Sequence, residues 1–207
     1  MVTTRRRFIT PEDLQHFRFV GDPRLSPDGA RVLYTVKIVE GEKYFQHLWV
    51  DEDQLTLGKV TDALPRWSPD GKRIAFVRTK DEETQVWLMA ITGGEPRPVT
   101  TLPPGKISAL EWSPDGGRLA IVFHKDPAPE LKKEKKQPLL RHVTRLRYRE
   151  EGIGFLDSER DHLHIVWVND RRTVQLTEGN RRDPRHDSRA FSANRRAVPC
   201  SSRGHCR

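Results

Sequence analysis

The chain has 207 residues, with 35% apolar and 32% charged side chains and a formal charge of +8. That composition is lean but compatible with a folded, β-rich protein of one or two domains, and it excludes a wholly disordered chain. No apolar run approaches the roughly 20 residues of a membrane helix, so no bilayer span is expected.

The N-terminus, MVTTRRRFIT, resembles a twin-arginine export signal only on its surface. PEDLQHFRFVGDP follows, without the apolar stretch of about 7 to 15 residues that a signal needs. The chain therefore reads as cytoplasmic. A short helix is expected next, with Thr10 as N-cap, Pro11 at the first helical position and Glu12 and Asp13 in the first turn. Residues 1–20 form this N-terminal segment, and Leu14, Phe17 and Phe19 supply its apolar face.

From residue 21 onward one tetrapeptide recurs, Ser-Pro-Asp-Gly, at Ser26, Pro27, Asp28 and Gly29, at Ser68, Pro69, Asp70 and Gly71, and at Ser113, Pro114, Asp115 and Gly116. Each residue suits its place in a type I turn. Ser bonds back to the backbone, Pro presets φ, Asp tolerates the third position and Gly fits the fourth. A short strand precedes each turn: Pro23 to Leu25, Pro65 to Trp67 and Ala109 to Trp112. A dense apolar run follows it, at 32–36, 74–77 and 119–123. These runs do not alternate with polar residues, so both faces of the strand should be covered. A third strand comes at 47–50, 85–91 and 164–168. A fourth, more polar segment ends in Thr, near Val60 and Thr61, at 98–100 and at 175–177.

Four antiparallel strands per unit, at a spacing of 42 and 45 residues between turns, match the blades of a β-propeller. The third unit carries an insertion over 124–161. Its first half, KDPAPELKKEKKQP, reads as a solvated loop, and its second half, around RLRYREEGIGF, as an ordered excursion. A fourth unit starts at SRAFSAN, Ser188 to Asn194, with Phe191 in the Trp place, and breaks off where Arg195 stands for the required Gly. Residues 195–207 form a basic tail expected to be disordered, the mark of a frameshift or truncation. The expected fold is all-β, an incomplete β-propeller of about three and a half four-stranded blades over 21–194.

The positive charge sits in two places. Residues 125–150 hold nine Lys or Arg against four Asp or Glu, and residues 181–207 hold eight against two. A nucleic-acid binder would carry its charge on one face of the folded body, with aromatics interleaved, so this footprint argues against one. Both cysteines, Cys200 and Cys206, lie in the last eight residues. A disulfide framework is excluded elsewhere, in keeping with a reducing compartment.

The segments ITPEDL, DPRLSPDG, PRWSPDGKRIAFVR, WLMAITGGEPRPVT and RLRYREEGIGFLDSERDHLHIVWV together resemble the N-terminal propeller of the prolyl oligopeptidase family of serine peptidases, in its acylaminoacyl-peptidase-like branch. The SPDG units alone are shared with TolB-like propellers, so a stand-alone TolB-like interaction module is the rival reading. The resemblance implies a peptide substrate, access to which the propeller restricts, and a C-terminal α/β-hydrolase domain holding a Ser, Asp and His triad. No triad residue maps onto this sequence. The GxSxG nucleophile elbow needs two glycines four apart, and none are so placed here. Catalytic residues, cofactor and metal are each expected to be none. The helix near residue 12 would face the missing hydrolase domain, and the open outer blades would invite self-association.

Glu150 and Glu151 are the substrate-binding candidates. Relatives in the dipeptidyl-peptidase group hold a substrate's free amine with adjacent Glu residues from a propeller insertion, a task suited to carboxylates. The plainer reading is a solvated, salt-bridged pair. His162 and His164 share a strand face and could chelate a metal, or else line a polar face. Cys200, His205, Cys206 and His186 resemble a zinc set in composition but lack its spacing.

Overall fold

The computed structural model describes residues 8–126 and 160–178, together with the backbone of 149–150 and 154–155. Each SPDG segment closes a hairpin by the same five contacts. The Gly N–H donates to the Ser carbonyl, at 2.9 Å in all three turns. The Ser N–H donates to the carbonyl of Arg31, Arg73 or Arg118, five residues on. The Ser hydroxyl donates to the Asp carboxylate and accepts the N–H of that same Arg. The Asp carboxylate also accepts the N–H of Ala30, Lys72 or Gly117. Gly29, Gly71 and Gly116 stand at φ of 74°, 67° and 68°, in the left-handed region that glycine enters without steric cost.

Three four-stranded antiparallel units result. The first is β1 (Phe19–Leu25), β2 (Val32–Glu40), β3 (Lys43–Val50) and β4 (Asp53–Gln54). The second is β5 (Thr61–Trp67), β6 (Arg73–Lys80), β7 (Glu83–Ala90) and β8 (Arg97–Pro98). The third is β9 (Gly105–Trp112), β10 (Arg118–Lys125), β13 (Asp161–Trp167) and β14 (Thr173–Gln175), with the insertion's two-residue pair β11 (Arg149–Glu150) and β12 (Gly154–Phe155) between β10 and β13. One parallel bridge, Gln46 to Thr61, links the first two units along their edges. The β-propeller architecture expected from the repeat is thus present, while the start of a fourth unit at 188–194 and the tail at 195–207 lie outside the described residues.

The fourth segment of the first unit differs from expectation. It is β4 followed by Thr56, not the stretch at Val60 and Thr61, since Thr61 opens β5 and pairs with Thr79. Thr56 Oγ1 accepts the buried N–H of Leu48 at 2.9 Å. Thr100 and Thr177 do the same for Val86 and Leu163, also at 2.9 Å. These three amides occupy one register position, each paired with the central-strand residue nine beyond the turn Ser: Leu48 with Thr35, Val86 with Val77, Leu163 with Val122. The terminal Thr closes each blade's outer edge with a side chain where a longer fourth strand would use backbone.

The N-terminal helix is a short 3-10 turn, Pro11–His16, with Thr10 as N-cap. The Thr10 N–H donates to Asp13 Oδ2 at 2.8 Å.

The blades stack face to face. Because side chains alternate along a strand, Ile74 and Phe76 of β6 point to the first blade while Ala75 and Val77 point to the third, and all four are buried. The first layer joins Leu33, Leu48 and Val50 to Ile74, Phe76 and Met89. The second joins Ala75, Val77, Val86 and Leu88 to Leu119, Ile121 and Val166 among others. Burying each Val, Leu, Ile or Phe contributes about 1.5–3 kcal/mol, and among the described residues these layers hold every buried apolar side chain except Val36 and Val122. Two further contacts repeat at both joints. Trp67 Nε1 donates to the Arg24 carbonyl and Trp112 Nε1 to the Arg66 carbonyl, both at 3.1 Å. A Cβ at Gly71 would meet Pro27 Cδ at 3.6 Å, and one at Gly116 would meet Pro69 Cδ at 3.7 Å, so each turn's proline rests on the next turn's glycine.

The turn hydrogen bonds hold the aspartates below the ordinary carboxylate range. The Ser hydroxyl is the largest cause for Asp28, Asp70 and Asp115, followed by the backbone N–H, and Asp115 reaches about 2. A carboxyl depressed in the folded state stabilises fully above its unfolded value, and that contribution is lost as pH falls through the folded one. Thermal midpoints should therefore drop as pH is lowered from about 4 to about 2, and Asp70→Asn should flatten that slope, as read by circular dichroism melts across the range.

His47 breaks the register pattern. It corresponds to Gln85, whose amide accepts from Thr100 Oγ1 and the Leu102 N–H and donates to the Leu102 carbonyl. His47 is 4% exposed and its Nδ1 has no hydrogen-bond partner. Burial pushes its pKa down, against the opposing pull of Asp62 and Glu40. The unfolded chain therefore takes up a proton first as pH falls below the ordinary His value, and stability falls with it. His47→Gln should raise stability by about 1 kcal/mol and remove the dependence between pH 7 and 5, measured by urea unfolding at each pH.

Candidate functional site

The stack has two unlike ends. At one lie the three SPDG turns, where each hydroxyl and carboxylate is committed to its own turn. At the other lie the β2–β3 turn, the β6–β7 turn, the N-terminal helix, and the points where the chain leaves β10 and rejoins β13. The insertion thus departs from the end whose hairpins do not repeat.

Its base is tightly closed. His124 and Asp161 form the last rung between β10 and β13, and His124 Nδ1 lies 3.0 Å from Asp161 Oδ1. The Asp126 N–H donates to the Pro104 carbonyl at 2.9 Å. Gly105 opens β9 beside this neck, where a Cβ would collide with the His124 carbonyl oxygen and the Phe123 ring. Further out, Arg149 pairs with Phe155 and Glu150 with Gly154. The ordered excursion read from GIGF thus has a backbone basis in β11 and β12. Glu150 lies on that ladder, and Glu151 lies outside the described residues.

Between the β2–β3 and β6–β7 turns sits an open cleft of about 710 Å³. Its walls carry charges of both signs, Glu40, Glu42, Asp81 and Glu82 together with Lys43, Lys59 and Lys80. Asp81 and Glu82 both adopt positive φ, 49° and 71°, a costly conformation for residues other than glycine. Next to the floor residues Thr61 and Thr79, Asp62 and Arg78 form a two-pronged ion pair at 2.7 and 2.9 Å. Asp62 is fully buried, and the Arg78 guanidinium lies over the rings of Trp87 and Phe76 at 4.8 and 5.3 Å. That pair ties β5 to β6 within the second blade, beside the cleft.

The first strands of the three blades carry a second ionic feature that the sequence reading missed. Arg66 donates from Nη1 to Asp22 Oδ2 and from Nε to Glu111 Oε1, both at 3.0 Å. Arg24 in turn bonds Asp22. One guanidinium thus bridges three blades. The signal available was the residue two before each repeated Ser, namely Arg24, Arg66 and Glu111. Asp22 reaches inward because β1 bulges at Asp22 and Pro23, as β5 does at Leu64 and Pro65. Pro has no N–H to give a ladder and so favours bulges.

The two histidines do share a face. His164 is 9% exposed, packs edge-on against Phe123 at 5.7 Å, and has Nδ1 3.0 Å from the His162 carbonyl. His162 Nδ1 lies 3.3 Å from Thr177 Oγ1. His164 is thus part of the packed layer between blades and not of a polar surface. His186, Cys200, His205 and Cys206 lie outside the described residues. Among the described residues no helix is long and apolar enough to cross a membrane.

Arg66→Met should destabilise the chain by about 1–2 kcal/mol, because Arg66 is largely buried and serves two carboxylates. Arg118→Met, which breaks an exposed pair with Asp115, should cost only a few tenths. Guanidinium unfolding of both variants tests the contrast.

No family model matches the chain. It is 28% identical over 186 residues to an uncharacterized peptidase, YuxL, of Bacillus subtilis, covering 83% of this chain and 28% of that protein. It is 34% identical over 111 residues to dipeptidyl-peptidase 5 of Porphyromonas endodontalis, covering 50% of this chain and 16% of that protein. Its fold is similar to that of the Pyrococcus horikoshii acylaminoacyl peptidase, with a TM-score of 0.61 and 21% identity, over 78% of this chain and 25% of that one. The chain therefore spans under a third of the length of each of these proteins. The likeness to the propeller of prolyl oligopeptidase-family peptidases that the repeat and the insertion carry is accordingly met both in sequence, by peptidases, and in fold, by an acylaminoacyl peptidase.

Proposed function

We propose that this chain is the substrate-gating propeller portion of a serine peptidase that hydrolyses short or N-acylated peptides in the cytoplasm. In this reading it has no triad of its own and works beside an α/β-hydrolase domain. The observation that carries it is the placement of the insertion. A blade insertion with a closed neck leaves the same end that bears the N-terminal helix and the charged cleft, and the chain is 28% identical to one peptidase over 83% of its length. Variable loops held on a rigid scaffold are where binding residues concentrate. Glu150 and Glu151 are then the carboxylates that meet a peptide's amine, and the outer blade faces are joints to further blades or to another copy.

The purified chain should leave an N-acetyl-alanyl chromogenic substrate uncleaved, while the same chain joined to a hydrolase frame read from downstream at its locus should cleave it and lose activity to a serine-reactive inhibitor. Inhibitor-sensitive cleavage by the chain alone would overturn the reading. A locus with no GxSxG frame would favour a stand-alone TolB-like module.

A further inference from the structure

We propose that the cleft between the β2–β3 and β6–β7 turns is a binding site for a short peptide with free ends and an apolar side chain, whose ammonium and carboxylate meet the two signs of charge on its rim. The inference gives the cleft a ligand and does not depend on a hydrolase domain standing beside the chain.

The cleft lies at the joint of two described blades, and the repeat shows why that joint opens there. At the second joint Gln85 ties the crossover between blades to the third strand. Its amide bonds Thr100 Oγ1 and both the N–H and the carbonyl of Leu102, and Leu102 packs on the apolar layer. At the first joint His47 stands in the place of Gln85, and Gly58, two residues beyond the closing Thr56, in the place of Leu102. Among the described residues no side-chain hydrogen bond reaches the crossover at 57–60. Only the backbone ties it to β3, from the Gln46 N–H to the Val60 carbonyl at 3.4 Å. The wedge between the blades is therefore open down to a floor of Phe45, Val60, Thr61 and Thr79.

Floor and rim differ in chemistry. The four floor residues are half-buried, two of them apolar and two hydroxyl-bearing, which suits a peptide that offers a nonpolar side chain and backbone amides together. On the rim the first hairpin carries Glu40, Glu42 and Lys43, and the second carries Lys80, Asp81 and Glu82. Lys59 joins them from the crossover. All seven are exposed, and among the described residues none of them enters an ion pair or a side-chain hydrogen bond. That holds although Glu40 and Lys43 face each other on the last rung of their hairpin. Charges elsewhere on the stack close on neighbours, as Arg24 does on Asp22, Arg31 on Asp51 and Arg118 on Asp115.

A ligand of one sign would meet repulsion from half of this rim, whereas a zwitterion is attracted by both halves. The cleft's volume of about 710 Å³ falls in the range of roughly 300–1,000 Å³ typical of small-ligand sites. A buried polar atom backs the floor. Side chains alternate along a strand, so His47 shares a face of β3 with Phe45, and it is 4% exposed with Nδ1 unpartnered. Glu40 of the rim acts electrostatically on that imidazole, which sets it within reach of the cleft.

The test is a titration of the nitrogen-15-labelled 207-residue chain with the tripeptide Ala-Leu-Ala, followed by amide chemical shifts. The Thr61 and Thr79 amides should move in a saturable way, with a Kd on the order of 1 mM. The same peptide blocked as N-acetyl and C-amide should bind roughly tenfold more weakly. Glu40→Gln combined with Glu82→Gln, and separately Lys59→Gln combined with Lys80→Gln, should each weaken the free peptide about fivefold and leave the circular dichroism spectrum unchanged. Lys72→Gln combined with Glu95→Gln, outside the cleft, should change nothing. No saturable shift at Thr61 and Thr79, equal binding of the blocked peptide, or rim variants that bind as well as the parent chain overturns the proposal. The peptidase assay reads cleavage by the joined chain and this titration reads binding by the chain alone, so either can fail without the other.

Discussion

The central strand of the second blade has no solvent side, and the rest of the molecule follows from that. Ile74, Ala75, Phe76 and Val77 are consecutive, apolar and buried, which a strand permits only when an apolar sheet covers each face. One four-stranded blade cannot supply both covers. The first blade meets Ile74 and Phe76, the third meets Ala75 and Val77, and neither layer exists without its neighbour. Stability is therefore a property of joints and not of blades. The repeated contacts all sit at these joints: the tryptophan on the preceding carbonyl, the proline on the next glycine, the guanidinium across three first strands.

Much of this was legible in the chain because it was written more than once. The SPDG turns, the non-alternating strands after them and the Pro11 helix start each have a local cause, and the structure has them where the residues require. Legibility failed where a cause lies across a joint. Thr56 and Thr61 are both threonines after a polar stretch, and only the partner amide, Leu48 for one and the Thr79 strand for the other, tells a blade's closing residue from the next blade's first. The ion pair at Arg66 was missed for the same reason, since Asp22 and Glu111 lie 44 and 45 residues away and only the register of the repeat sets them beside it. The SPDG turn read as a connector is also a contact surface, which only adjacent copies reveal.

The His47 position shows how far repetition constrains and where it relaxes. Gln85 and His162 fill that position with side chains that reach the closing Thr, whereas His47 buries an Nδ1 that finds no partner. An imidazole that reaches the Thr177 hydroxyl in the third blade leaves an unpartnered nitrogen in the first. The ladder tolerates this because its backbone contacts, including Leu48 to Thr56, do not depend on the side chain.

The asymmetry between the two ends argues for where function can reside. At the turn end, Ser, Pro, Asp, Gly and the following Arg are each used by the turn or by the next blade, so a new side chain there costs a joint. The opposite end has no such repeat: Glu40 to Lys43 and Lys80 to Glu83 differ in their turn residues, and the third blade accepts a long insertion at the same point without disturbing the ladder that resumes at Asp161. The contacts of His124, Asp126 and Gly105 close the base from which the insertion leaves β10. A side chain placed at that end is therefore not one of the contacts that the three blades repeat, and such loop positions on a rigid scaffold are where binding residues concentrate.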